Sequence, residues 1–127
     1  MQIHGVGIDI VSNQRIHALI TQYADRFLKK VFSALEIECA KSKFPAERPA
    51  YFAKRFAGKE AFVKALGTPV DFTKISILNN VKGAPYIALD DGLAKYVVEI
   101  LNSANYEIHL SLSDEKEYSV AQCVIVR

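Results

Sequence analysis

From Ile3 to Val11 apolar and small residues alternate: Val6, Ile8 and Ile10 share one face of a predicted strand, and Gly5, Gly7 and Asp9 share the other. That second face has almost no side-chain bulk, so another element can pack close to it. At Asn13 the period changes. Ile16, Leu19, Ile20, Tyr23 and Phe27 form one stripe of a predicted helix whose other face carries Arg15, Gln22 and Arg26. Ser33 and Glu36 stand at capping-box spacing and predict the start of a second, short helix, and Pro45 and Pro49 interrupt the chain after it. Tyr51 to Leu66 is the strongest helical segment, ended by Gly67 and Thr68-Pro69.

Beyond that helix, Gly67-Thr68-Pro69-Val70-Asp71 leads directly toward the next strand. Ile75, Ile77 and Tyr86 to Leu89 predict two strands joined around Lys82-Gly83-Ala84-Pro85. Asp90 or Asp91 caps a helix through Leu101. Tyr106, Ile108, Leu110 and Leu112 alternate with polar residues, as do Tyr118, Val120, Gln122, Val124 and Val126, with Ser113 to Lys116 as the hairpin between them. The pattern predicts one α+β domain over residues 1–127, with strands at both ends and no repeat, linker or low-complexity segment.

Composition narrows the function classes. Half of the 127 residues are hydrophobic and 24% are charged, as in an ordinary folded domain. The net charge of +2 is spread along the chain, which predicts no nucleic-acid partner. No apolar run approaches a membrane span and the N-terminus lacks signal-peptide features, so a cytoplasmic protein without membrane contact is expected. Cys39 and Cys123 have neither CxxC spacing nor a nearby histidine cluster and read as buried thiols in a reducing compartment. A chain this short leaves much of its surface exposed, so a pocket for a large ligand calls for a second subunit.

The candidate chemistry lies on the first strand and the long helix. Phe52, Phe56, Phe62, Val63 and Leu66 line one side of that helix, and Ala53, Ala57, Ala61 and Ala65 form a small-residue stripe elsewhere. Glu60 projects between them, with Lys64 one turn further on. A carboxylate so placed is partly desolvated and needs a cation, a hydrogen-bond donor or a raised pKa. Asp9, inside an apolar strand, has the same need. Two such acids can share one Mg²⁺, which takes one or two protein carboxylates and completes its shell with water and phosphate oxygens. Lys59 and Lys64 would then help hold the phosphates. Spacing alone leaves a plainer reading open: Glu60 and Lys64 as a surface pair, and Asp9 paired with Arg55 or Lys59 or capping the following helix.

Three blocks of sequence carry a resemblance. Gly5-Val6-Gly7-Ile8-Asp9-Ile10-Val11 with Arg15-Ile16 resembles the opening motif of the holo-acyl-carrier-protein synthase family. Arg55-Phe56-Ala57-Gly58-Lys59-Glu60-Ala61-Phe62-Val63-Lys64-Ala65-Leu66-Gly67-Thr68 is similar to its long-helix signature, and His109 to Tyr118 followed by Ala121 and Val124 to its C-terminal hairpin. The blocks stand in the family's order and spacing over nearly the whole chain.

The resemblance implies a 4'-phosphopantetheinyl transferase fold, an antiparallel sheet packed on a long central helix and assembled as a homotrimer with active sites between subunits. It implies a Mg²⁺-dependent transfer of phosphopantetheine from coenzyme A to a serine of an apo-acyl-carrier protein. Asp9 and Glu60 are the implied metal ligands, Lys64 contacts the phosphates, and the serine proton goes to Glu60 or a water on the metal. Arg48, Lys54, Gly67, Thr68 and Pro85 are the further candidate coenzyme A contacts, with Arg48 and Lys54 directed at the 3'-phosphate. Arg15, Arg26 and Phe27 are the candidates for docking an acidic carrier protein. Asp114 stands where many relatives have a second histidine, and His109 reads as a strand residue with a satisfied ring. The alternative is a relative that binds coenzyme A or carrier protein without turnover, drawn from Pro69 and the short connection after the long helix.

Overall fold

The glycines of the first strand determine how the molecule packs. In the computed structural model, which describes residues 1–127, strand β1 (Ile3–Ser12) lies across helix α4 (Arg48–Leu66). A Cβ built on Gly7 would stand 1.9 Å from the carbonyl oxygen of Ala61, and one on Gly5 would stand 1.9 Å from that of Ala65. Strand backbone therefore rests on helix backbone, and the alanine stripe makes the approach possible. Two residues along an extended strand span about 6.6 Å, close to one helical turn of about 5.4 Å, so the next inward residue, Asp9, arrives one turn nearer the helix N-terminus.

The remaining elements follow in the order α1 (Asn13–Tyr23), α2 (Asp25–Val31), α3 (Ala34–Ala40), α4, β2 (Ile75–Asn79), β3 (Pro85–Leu89), α5 (Asp91–Leu101), β4 (Glu107–Asp114) and β5 (Tyr118–Val126). The main sheet is antiparallel in the order β1-β5-β4, and β2 and β3 form a separate hairpin. Ala121, Cys123 and Ile125 of β5 are buried against α4, and burial pushes the Cys123 thiol up to about 12. The outer face is different. Val6, Ile8 and Ile10 are 55%, 62% and 64% exposed, and they pair across to Val124, Gln122 and Val120 of β5. No helix is long and apolar enough to cross a membrane.

Local signals read from the sequence are present. Ser33 and Glu36 form both hydrogen bonds of a capping box, Asp90 accepts from the Leu93 amide at 2.8 Å, and Gly67 ends α4 with φ of 86°. Three expectations change.

The helix expected to run from Asn13 past Phe27 breaks at Ala24, where φ is 48°. No glycine or proline marks the break. The turn sets the Phe27 ring edge-on to Phe32 at 5.9 Å and aims the Val31 carbonyl at Lys59. Cys39 is exposed rather than buried, because the faces of α3 turned inward carry Glu36 and Ala40. Between Pro69 and β2 a short 3-10 turn, Phe72–Lys74, intervenes, capped by Asp71.

Candidate active site

Asp9, Ile10, Val11, Ser12, Arg15, Phe56, Glu60 and Lys64 line one cleft of about 540 Å³. They come from β1, the start of α1 and the middle and last turn of α4. Asp9 points inward from β1 beside the glycine contacts. Glu60 and Lys64 are one turn apart on α4, and Arg15 stands in the first turn of α1, which Ser12 caps by accepting from the Arg15 amide at 3.2 Å. The Arg15 guanidinium lies 5.7 Å from the centre of the Phe56 ring, which also meets Phe72 in an edge-on contact at 6.1 Å.

The two carboxylates differ in their surroundings. Asp9 accepts from the Lys64 ammonium at 3.3 Å, and Lys64 also donates to the Ile8 carbonyl at 2.8 Å. Glu60 has no ion-pair partner within 4 Å. Its pKa is raised, first by burial and then by the negative charge of Asp9, with Lys64 and Arg15 offsetting part of the effect. A carboxylate whose proton affinity is raised by burial and by a second acid across the cleft is in the position a divalent cation relieves. The donor set fits magnesium in particular. It is all carboxylate, with no thiolate or imidazole, and no third acid, histidine or cysteine joins it, which leaves positions for water and phosphate oxygens.

The plainer pairings are not formed. Lys64 turns to Asp9 and not to Glu60, Ser12 caps α1 in place of Asp9, and Arg55 and Lys59 are engaged elsewhere. Lys59 is a correction. Its side chain is fully buried and donates to Glu36, to the Val31 carbonyl at 3.0 Å and to the Phe72 carbonyl at 2.9 Å, so it holds no phosphate. The sequence could not separate Lys59 from Lys64, because the pairing acid, Glu36, lies on another helix.

The sequence model of the 4'-phosphopantetheinyl transferase superfamily matches residues 5–123. The chain belongs to this superfamily. The holo-[acyl-carrier-protein] synthase of Wolbachia pipientis subsp. Culex pipiens is 43% identical to it over 128 residues, covering 97% of each chain. The crystal structure of the holo-[acyl-carrier-protein] synthase of Neisseria meningitidis superposes with a TM-score of 0.88 at 32% identity, covering 98% of this chain and 99% of that one. The enzyme of Bacillus anthracis, solved in complex with CoA (3',5'-ADP), gives 0.79 at 32% identity over 98% of this chain and 97% of that one.

A second cleft, of about 590 Å³, lies nearer the N-terminal end of α4. It is lined by Lys43, Glu47, Tyr51, Lys54, Arg55, Asn79, Gly83 and Asp114. Lys54 bridges to Asp114 at 3.2 Å. Arg55 is 4% exposed, lies 4.0 Å above the Tyr51 ring and donates to the Asn79 side chain, yet its Nε has no partner and no carboxylate balances its charge. Sequence reading missed Arg55 and Asn79 as cleft residues. Only the arginine preceding the Phe-Ala-Gly-Lys-Glu run hinted at it, and burial without a counter-ion is a tertiary property.

The other candidates are dispersed. Arg48 is taken up at the end of α3, donating to the carbonyls of Ala40 at 3.1 Å and Lys43 at 3.2 Å, and it lines neither cleft. Gly67 and Thr68 follow the end of α4, and Pro85 opens β3, all outside the lining of both clefts. Arg26 lies exposed over Tyr23 at 5.5 Å, and Phe27 is half-buried. His109 contacts Glu107 at 2.9 Å on the outer sheet face, a satisfied strand residue.

Proposed function

We propose that the protein transfers 4'-phosphopantetheine from coenzyme A to a serine hydroxyl of an apo-acyl-carrier protein and releases 3',5'-ADP. The observation that carries this reading is the convergence of Asp9, Glu60 and Lys64 on one cleft in a chain of this superfamily. Asp9 and Glu60 hold Mg²⁺, which when bound supplies positive charge to the pyrophosphate.

The serine oxygen forms a bond to the phosphorus that bears pantetheine, and the bond from that phosphorus to the bridging oxygen of 3',5'-ADP breaks. Negative charge grows on the departing phosphate, and the Lys64 ammonium stabilises it there. Glu60, the cleft carboxylate without a basic partner, accepts the serine proton directly or through a water. Arg15, at the cleft mouth, meets the acidic carrier protein together with Arg26 and Phe27, and added salt weakens that association. Coenzyme A, an apo-carrier and two unpaired thiols are consistent with a cytoplasmic enzyme.

The working unit is a homotrimer. The apolar outer face of β1 and β5 is a surface that a second copy covers. The two clefts lie on opposite sides of α4, so a donor gripped by Asp9 and Glu60 at its pyrophosphate and by Lys54 and Arg55 at its nucleotide end needs those residues from neighbouring copies.

Incubation with coenzyme A, Mg²⁺ and several apo-carrier proteins, read by intact mass, tests the reading. Gain of one phosphopantetheine is expected, and no gain on any carrier overturns it. Sedimentation with Ile8→Asp tests the assembly: the wild type is trimeric and the variant monomeric and inactive.

A further inference from the structure

Lys64 spends its hydrogen bonds on the strand opposite. An ammonium has three donors, and two of them go to β1, one to the Ile8 carbonyl at 2.8 Å and one to Asp9 Oδ1 at 3.3 Å. Glu60 stands at the i, i−4 position on the same helix, an ordinary partner for a lysine, and Lys64 does not use it. The charge of Asp9 is thus already balanced from within the chain, whereas that of Glu60 is not. A divalent cation that bridges the two acids must share Asp9 with the ammonium or replace it, and two cations at one carboxylate oxygen repel.

We propose that the Lys64 ammonium is an internal competitor of the divalent cation for Asp9, released toward the donor's pyrophosphate as the cation takes its place. This rests on the metal-binding reading of Asp9 and Glu60 and adds to it a linkage between the metal and the phosphate donor. The exchange is easy in physical terms. The Lys64 side chain is 53% exposed and that of Asp9 18%, so the pair is partly screened and weak, and the flexible four-carbon stem lets the ammonium swing without moving α4. A pyrophosphate that captures the ammonium removes the competitor and raises metal affinity. By reciprocity the metal, in freeing the ammonium, raises affinity for the pyrophosphate by the same factor.

Manganous ion alone is the probe, with free Mn²⁺ counted by electron paramagnetic resonance in the presence of intact, chelator-treated protein and no coenzyme A. Lys64→Met lowers the Mn²⁺ dissociation constant about three- to tenfold, and Lys64→Arg, which keeps the competing charge, binds no tighter than wild type. Lys64→Gln repeats the measurement should Met disturb the fold. Arg15→Met removes a charge from the cleft wall that makes no contact with Asp9, and it shifts the constant less than Lys64→Met. Equal or weaker Mn²⁺ binding by Lys64→Met overturns the proposal. So does an Arg15→Met shift as large, since the effect would then belong to the general field of the cleft. If neither the wild type nor Lys64→Met binds Mn²⁺, the metal reading falls together with this proposal; if both bind alike, only this proposal falls.

Discussion

Glu36 and Lys59 form an ion pair in which neither side chain reaches solvent. Burial acts first on Lys59 and lowers its pKa, and the charge and hydrogen bond of Glu36 oppose that shift. All three ammonium donors are used, on Glu36, Val31 and Phe72. The Glu36 carboxylate also accepts from the amides of Ser33 and Ile77, each at 2.9 Å. One residue before Glu60, α4 is therefore tied to α2, α3, β2 and the turn that carries Phe72. The network fixes the rotation of the helix that presents Glu60 to the cleft.

Breaking this pair from one side strands the other. Lys59→Met leaves a buried carboxylate and two carbonyls without their cation and destabilises the fold by about 3–5 kcal/mol, measured by urea unfolding. The double variant Glu36→Leu with Lys59→Met recovers part of that loss, because no uncompensated charge remains, and only part because the Ser33 and Ile77 amides then lose their acceptor.

The close approach of β1 to α4 gives a sharper contrast. Gly7→Ala drives a methyl to 1.9 Å from the backbone oxygen of Ala61, which can yield only if strand and helix separate. A loss of about 1–3 kcal/mol or more is expected, with a fall in turnover because Asp9 rides on the same strand. Gly58→Ala meets the end of the Ile77 side chain at 2.4 Å, a group that can rotate, and alanine gains about 1 kcal/mol in a helix interior. Thermal unfolding should show Gly58→Ala to be much the milder of the two.

Local rules reached the fold well and the site in part. The bare inner face of β1, the capping box at Ser33 and the stop at Gly67 are short-range features, and each stands where the sequence places it. The break at Ala24 has no local mark, since it serves contacts of Phe27 and Val31 made across the tertiary structure. Asp9 and Glu60 were legible because an acid in apolar surroundings is costly enough to need a reason. The roles of Lys59, Arg48 and Arg55 were not, because each depends on a partner, or the lack of one, distant in the chain.

Glu60→Gln should separate catalysis from stability. The pKa of Glu60 is raised above the ordinary 4.5 in the folded protein. Between that ordinary value and the folded one the native state holds more protons than the unfolded state, so stability falls as pH rises through this window. The cost is absent below 4.5 and complete above the folded pKa. With divalent ions chelated, Glu60→Gln therefore unfolds at the same or a slightly higher temperature than wild type at pH 7, by less than about 1 kcal/mol given solvent screening, and the difference disappears toward pH 4. The same variant loses phosphopantetheine transfer, since the amide keeps the shape and not the charge. Near-normal turnover would remove Glu60 from the chemistry.

Arg55 is the opposite case, a buried cation with no carboxylate within ion-pair distance. Its partnerless Nε and the stacked Tyr51 ring, whose own pKa burial raises to about 12, describe a buried cationic seat beside Lys54. Replacement by Met removes a charge that no carboxylate balances, so the unfolding free energy should hold close to wild type. The KM for coenzyme A should rise about ten- to a hundredfold, the size expected for losing a charge-assisted phosphate contact, with kcat changed less. Dephospho-coenzyme A, which lacks the 3'-phosphate, assigns the contact. If Arg55 holds that group, wild type and Arg55→Met use the truncated donor with similar KM. If the gap between them persists, the guanidinium serves the pyrophosphate or the fold, and the nucleotide end of coenzyme A lies elsewhere.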